Sequence, residues 1–231
     1  AIWNTERFYQ NTSINTISGR VIINSKFNRK LLEKAINLFV QMTKGIRYQL
    51  DINNDIITQY EKQYEPFSVD FIHLNSTNEK DILNSISRKT FNLYDSPLYY
   101  FAIFETESKQ GGFFVCVHHI ISDAWSMSLL VNSIMSIYSK LLKNEELNFS
   151  DSYSYSDFIE QEKIYLSSSR FNKDKSFWNE LFNENIFDNS FSGNVNTMSA
   201  FSTNASRAEF KLPSTFTKKI VDFCKEITAR S

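Results

Sequence analysis

The sequence predicts a domain of the α/β or α+β class, in which helices pack against a mixed β-sheet. Strand-like apolar runs alternate along the chain with segments of helical spacing, which is typical of interleaved strands and helices. The clearest example is the segment from Phe113 to Ser126, where an apolar run ends in a polar corner and helical spacing follows. With 231 residues and a hydrophobic content of 42%, the chain can bury a core.

The individual elements are predicted from their periodicity. Residues 1–15 show no clear period and are expected to be irregular, whereas residues 27–42 have helical spacing with Asn24 or Ser25 as candidate N-cap. The other predicted helices are 78–90, a helix from the polar corner to about Leu142, 156–166, 172–182 and 213–227. The predicted strands are 17–23, 46–50 and 55–60 as a hairpin, 67–74, 98–104, the run from Phe113 and 207–212, and residues 188–206 are expected to form a loop.

Composition excludes several classes of function. The net charge of -1 and the scattered lysines give no indication of a nucleic-acid partner. Cys116 and Cys224 lie far apart, which favours a reduced, cytoplasmic setting. No apolar segment approaches membrane-spanning length, and the first residues lack a signal pattern, so we expect a soluble protein without a membrane partner.

Two of the three histidines, His118 and His119, are adjacent where the strand ends, and Asp123 follows four residues later. Because side chains alternate along a strand, the two imidazoles should point in opposite directions. In a purely structural interpretation, His118 packs inside, His119 is partly exposed and Asp123 caps the next helix. The third histidine, His73, is expected to be partly buried without a catalytic role.

Two catalytic interpretations and a metal site compete with the structural one. A metal site is disfavoured because adjacent strand residues diverge and no further His or Cys cluster joins them. A Ser-His-Asp hydrolase lacks the Gly-x-Ser-x-Gly elbow. Acyl transfer remains open: one imidazole at the mouth of a cleft could handle a proton, with Asp123 bracing the loop through a basic partner.

The segment 118–127, His-His-Ile-Ile-Ser-Asp-Ala-Trp-Ser-Met, resembles the His-His-x-x-x-Asp-Gly signature of nonribosomal peptide synthetase condensation domains. These domains belong to the chloramphenicol acetyltransferase-like superfamily. Residues 91–98 resemble the family's Phe-x-Leu…Pro-Leu segment, and residues 46–48 resemble its Leu-Arg-Thr strand. Residues 155–158 and 177–178 resemble its Tyr-x-Asp and Tyr-Trp helices, so the resemblance extends in family order over roughly residues 14–228.

The resemblance implies distinct roles for the motif residues. His119 would be catalytic and face the channel where two substrates meet, while His118 would point into the protein and support the strand. Asp123 would be structural and paired with Arg47. Family members carry a second arginine five residues before that position, where this chain has Met42.

Departures from the family pattern bear on the subtype. Ala124 replaces the usual glycine, and Ala124, Trp125 and Ser126 are the candidate channel-lining residues. The order Trp125-Ser126-Met127 favours a condensing domain over an epimerisation domain, and the paired histidines disfavour heterocyclisation, where an Asp replaces them. The family's N-terminal Ser-x-x-Gln opening is absent, and residues 5–9 read Thr-Glu-Arg-Phe-Tyr instead.

Condensation domains consist of two chloramphenicol acetyltransferase-like halves with the histidine motif at their junction. The resemblance therefore implies that residues 1–206 are the N-terminal subdomain and that residues 207–231 are a strand and helix entering a C-terminal subdomain. On this basis the chain is expected to be an excised half, with little or no condensation activity by itself.

The reaction implied for the whole domain is amide formation. The amine of an aminoacyl thioester on a downstream carrier protein attacks an acyl or peptidyl thioester on an upstream carrier protein. No cofactor or metal bound by this chain is implied, because the phosphopantetheine thioesters arrive on the carriers. The implied partners are both peptidyl carrier proteins, the C-terminal half and an adjacent adenylation domain. Alternatives are a small-molecule acyltransferase of the same superfamily and a non-catalytic carrier-docking module.

Overall fold

The computed structural model describes residues 2–24, 27–53, 56–147, 155–182 and 210–228. The helices are α1 (Ile2–Phe8), α2 (Arg29–Met42), α3 (Glu79–Ser87), α4 (Ala124–Leu142), α5 (Tyr155–Leu166), α6 (Ser169–Leu181) and α7 (Ser214–Thr228). The strands are β1 (Thr16–Ile23), β2 (Tyr48–Asn53), β3 (Ile56–Glu61), β4 (Asp70–Leu74), β5 (Tyr99–Thr106) and β6 (Gly111–His118). A short 3-10 helix, Lys44–Arg47, precedes β2.

The chain divides into two compact units, residues 1–186 and 187–231. In the second unit the described element is α7, which confirms the predicted last helix. The predicted loop at 188–206 and the predicted domain boundary after residue 206 lie outside the described residues, so the boundary stays a prediction. Residues 210–212, the described end of the predicted strand at 207–212, are not in a strand.

A four-stranded mixed sheet of order β1-β6-β5-β4 organises the first unit. β6 pairs antiparallel with β1 and β5, while β5 and β4 are parallel. β2 and β3 form the predicted antiparallel hairpin, which Leu50 connects to Tyr94 through an isolated bridge. A mixed sheet with helices against it confirms the predicted fold class.

The core explains why β6 reads as a continuous apolar run. All eight residues of β6 are buried, because helices cover both faces of the sheet. Phe113, Val115 and Val117 pack with the apolar faces of α2 and α4. Phe114 and Cys116 pack on the opposite face, in the cluster that contains Ile86 of α3. Alternation therefore places the side chain of His118 on the α3 side of the sheet.

The boundaries differ from the predictions near the N-terminus. Residues 1–15 contain α1, whose seven residues are too few to show a helical period. The N-cap of α2 is Asn28, whose side chain accepts from the amide of Leu31, and not Asn24 or Ser25. The strand predicted from residue 46 begins at Tyr48, because Lys44–Arg47 form the 3-10 turn. In the described part of the chain, none of the helices has the length and apolar character needed to span a bilayer.

Candidate functional site

The corner between β6 and α4 holds the histidine motif. β6 ends at His118 and α4 begins at Ala124, with Asp123 as its N-cap in extended backbone geometry. Oδ1 of Asp123 accepts from the amide of Ser126 at 2.7 Å and from its hydroxyl at 2.6 Å. These two hydrogen bonds, led by the hydroxyl, lower the pKa of Asp123, and the nearby charge of His119 lowers it further. The capping role considered for Asp123 is thus seen in the structure.

His118 lies behind this corner and is only 3% exposed. Its Nδ1 accepts from the amide of Ile120 at 3.1 Å, which assigns the proton to Nε2, and Nε2 lies 3.1 Å from Oε1 of Glu6. Desolvation lowers the pKa of His118, although Glu6 opposes that shift. Burial and the accepting Nδ1 both indicate a neutral imidazole, so the contact with Glu6 is a hydrogen bond more than an ion pair.

His119 occupies the opposite environment. Its side chain is exposed, and its backbone amide donates to the carbonyl of Asn15 at 2.7 Å. Within the described parts of the chain, the imidazole forms no hydrogen bond of its own. One histidine is therefore buried and bonded at both ring nitrogens, and the other presents a free ring to solvent. Their catalytic and supporting roles stay predictions.

A cleft of about 430 Å³ opens at the corner beside His119. Tyr48 at the start of β2 and Tyr155 at the start of α5 stand across it, with their rings edge to face at 5.1 Å. The lining residues are Ile2, Gly45, Tyr48, Leu50, Gln59, His119, Ile120, Ile121, Ser122, Asp123, Ser126 and Tyr155. A reacting group in this cleft would meet aromatic walls and the imidazole at one side.

The candidate channel-lining residues divide between two locations. Ser126 lines the cleft, whereas Ala124 and Trp125 do not, and Trp125 is 74% exposed. The first turn of α4 turns these neighbouring side chains away from each other. Whether any of the three contacts substrate stays a prediction.

The expected ion pair between Asp123 and Arg47 is wrong. Arg47 is 8% exposed, and its guanidinium pairs with Glu61 and donates to the carbonyl of Lys62. The same guanidinium donates to the carbonyls of Val40 and Gln41, at 2.7 and 2.5 Å. These carbonyls belong to the last turn of α2 and lack helical partners. Arg47 therefore closes the C-terminus of α2, and Asp123 finds its partner in Ser126.

A larger cavity, of about 670 Å³, lies between the β2–β3 hairpin and β5. It is lined by Arg47 and by Tyr60, Tyr64, Tyr99 and Tyr100, and neither histidine of the motif reaches it. Size therefore does not select the site, and the smaller cleft holds the only imidazole of the pair that faces open space. Among the described residues, no group of three or more His, Cys, Asp or Glu side chains is arranged to hold a metal ion.

Four residues of the site were not predicted from the sequence. Glu6 and Asn15 belong to the stretch that was expected to be irregular, so no periodic signal identified them. Tyr48 and Tyr155 each belong to a segment that resembles the condensation family, which was the available signal for their importance. Their meeting at the cleft depends on the packing of α5 against β2.

Comparison with known proteins places this geometry in a family. The family model described as Condensation domain matches residues 1–230. Surfactin synthase subunit 1 of Bacillus subtilis (strain 168) is 33% identical over 234 residues, which are 97% of this chain and 6% of that protein. A plipastatin synthase of the same strain is 29% identical over 230 residues, 97% of this chain and 9% of that protein. The chain belongs to the condensation domain family.

Solved structures show the same fold. The starter condensation domain of the rhizomide synthetase superposes with a TM-score of 0.70 at 18% identity, covering 78% of this chain and 45% of that one. VibH, an NRPS condensation enzyme, superposes with a TM-score of 0.65 at 21% identity, covering 80% of this chain and 43% of that one. The fold is the chloramphenicol acetyltransferase-like fold of condensation domains, and the chain spans less than half of each solved structure.

Proposed function

We propose that the condensation domain containing this chain forms an amide bond between two carrier-bound substrates in nonribosomal peptide synthesis. The donor is an acyl or peptidyl thioester, and the acceptor is the amine of an aminoacyl thioester. Membership in the condensation family supports this reaction, as do relatives that are named as synthases of surfactin and plipastatin.

The observation that carries the proposal is the placement of His119. Its ring lies on the wall of the cleft, is exposed and forms no hydrogen bond within the described residues. Its backbone is fixed by the hydrogen bond to Asn15. A ring nitrogen with a free lone pair on a fixed backbone is suited to accept a hydrogen bond from an incoming amine.

The proposed step balances as an acyl transfer. The amine nitrogen attacks the thioester carbonyl, the new N–C bond forms, and the C–S bond of the tetrahedral intermediate breaks. His119 accepts the hydrogen bond of the amine and orients its lone pair, and the proton that the amine gives up ends on the departing thiolate. Orientation of this kind contributes to the rate because it replaces a bimolecular encounter by a fixed geometry.

The proposed partners follow from the reaction. Upstream and downstream peptidyl carrier proteins deliver the phosphopantetheine thioesters, an adjacent adenylation domain selects the amino acid, and a C-terminal half completes the domain. Residues 1–231 would supply one wall of the reaction channel, a view supported by the coverage of 43% and 45% in the solved condensation domains. By itself this wall is expected to give little or no product.

The test is a condensation assay with both carrier proteins loaded, carried out on the complete domain. His119→Ala should lower turnover by about 10²- to 10⁴-fold, the usual contribution of a positioned proton acceptor. His73→Ala is the matched control, because His73, which was expected to be partly buried, lies exposed on β4 and does not line the cleft. It should keep wild-type turnover.

Other outcomes would decide between the alternatives. Equal product from wild type and His119→Ala would end the catalytic proposal and favour a module that only docks carriers. Acylation of a free alcohol or amine, with carrier-bound amine left unused, would favour the small-molecule acyltransferase.

A further inference from the structure

We propose that Glu6 is a positioning residue that holds the backbone of His119 in place. The proposal deepens the proposed function, since it rests on His119 being the working group. Glu6 lies in α1, and its side chain is 12% exposed. Its Oε1 accepts from Nδ2 of Asn15 at 2.7 Å and is 3.1 Å from the protonated Nε2 of His118.

Each of these two partners passes the restraint on to the motif backbone. The carbonyl of Asn15 accepts from the amide of His119 at 2.7 Å. Nδ1 of His118 accepts from the amide of Ile120 at 3.1 Å. A single carboxylate oxygen therefore orients the two groups that bind consecutive amides, one on His119 and one on the residue after it.

This arrangement matters because nothing else described fixes the ring of His119. The imidazole has no hydrogen bond within the described residues, so its position follows from its backbone and its rotamer. A displacement of about 1 Å at a catalytic group can cost about 10²-fold in rate. Glu6 acts on the reaction through Asn15 and His118, without touching substrate itself.

A simpler role for Glu6 would be to dock α1 on the body of the protein. That docking has its own contacts, because Nε1 of Trp3 donates to the hydroxyl of Tyr94 at 3.0 Å. The indole also packs with a separate apolar cluster around Leu93 and Leu98. Trp3 can therefore be altered to loosen α1 while the carboxylate and its two hydrogen bonds remain.

The experiment uses the complete condensation domain and three variants: Glu6→Ala, Glu6→Gln and Trp3→Phe. Two quantities are measured, namely amide hydrogen exchange in peptides covering residues 119–120, and kcat with KM in the loaded-carrier assay. The glutamine variant is the matched control, because its amide oxygen can accept the same two hydrogen bonds without the charge.

Glu6→Ala should speed exchange at residues 119–120 by about 10-fold or more, since local opening becomes easier. It should also lower kcat by about 10- to 100-fold and leave KM within about 2-fold, as expected for lost orientation. Glu6→Gln should restore both values to near wild type. Trp3→Phe should speed exchange in α1 and leave residues 119–120 and kcat unchanged.

Unchanged exchange at residues 119–120 in Glu6→Ala would overturn the proposal. So would identical effects of Glu6→Ala and Trp3→Phe, or faster exchange without any loss of kcat in a domain that His119→Ala inactivates. If His119→Ala itself leaves turnover intact, the proposed function fails, while the exchange data still decide whether Glu6 holds the two amides.

Discussion

The two sides of the histidine motif differ in how their polar groups are satisfied. Behind the motif lies a buried framework of Glu6, Asn15, Arg47 and His118, each bonded to several partners and almost inaccessible to solvent. In front lies a cleft face of His119, Asp123 and Ser126, where the groups are partly or fully exposed. The two sides meet across a single peptide bond, between the paired histidines.

This difference teaches that adjacency in sequence says little about role. A buried polar group must keep its hydrogen bonds or pay the desolvation cost, so changes in the framework should affect stability. A group on the cleft face has water as an alternative partner, so its loss should affect folding little and turnover more. Three variants test this division, beginning with the largest expected effect.

Arg47→Ala should break the framework most strongly. The substitution leaves Glu61 unpaired and frees two carbonyls at the end of α2, so unfolding should become easier by about 3–5 kcal/mol. Urea unfolding followed by circular dichroism measures this change. Arg170→Ala is the matched control, because Arg170 forms a surface ion pair with a side chain that is 83% exposed, and it should change little. A wild-type urea midpoint for Arg47→Ala would contradict the assignment.

The pH dependence of stability should reveal the buried histidine. Burial lowers the pKa of His118 below its ordinary value of 6.5, so the unfolded chain binds a proton that the folded protein resists. The stability contributed by the neutral ring is fully present above about pH 6.5 and is lost as the pH falls through the folded pKa. Urea midpoints measured from about pH 8 to about pH 5.5 should therefore decline.

His118→Gln is the comparison for that titration, since its side chain cannot be protonated. The decline with falling pH should be shallower in this variant than in wild type. An identical slope in both proteins would show that His118 does not titrate with folding. The environment that opposes protonation consists of the apolar cluster around Phe91 and the charge of His119, while Glu6 favours it.

Asp123→Ala should have the smallest effect on stability. It removes the N-cap of α4, a loss that should lower the melting temperature by about 2–4 °C in a protein of this size. Asp123→Asn keeps a capping acceptor and should stay within about 1 °C of wild type. A drop for Asp123→Ala as large as that of Arg47→Ala would place Asp123 in the framework instead.

Most of the fold could be predicted because it depends on local periodicity. The long apolar stretches of α2, α4, β5 and β6 have clear patterns, and the β2–β3 hairpin has two strand-like segments around a turn. α1 was missed because seven residues are too short to show a period, and its contacts with the motif come from sequence-distant residues. The N-cap of α2 was displaced by four residues from Asn24 to Asn28, which reflects local competition between similar capping residues.

The partner of Arg47 could not be predicted, because a guanidinium has five donors and the chain offers many acceptors. The resemblance to the family suggested Asp123, yet the C-terminal turn of α2 lies closer and has free carbonyls. For Asp123, the hydroxyl and amide of Ser126 lie three residues ahead, so its local capping contact was predictable from spacing alone.

The sequence by itself determined the fold class, the strand that carries the motif and the family resemblance, because each depends on patterns within a short stretch of chain. Only the tertiary structure decided that Glu6 and Asn15 stand behind the histidines, that Arg47 closes α2, and that Tyr48 meets Tyr155 across the cleft. These contacts join residues that are distant in sequence. They form only when the packed sheet and helices bring them together, and no local pattern records them.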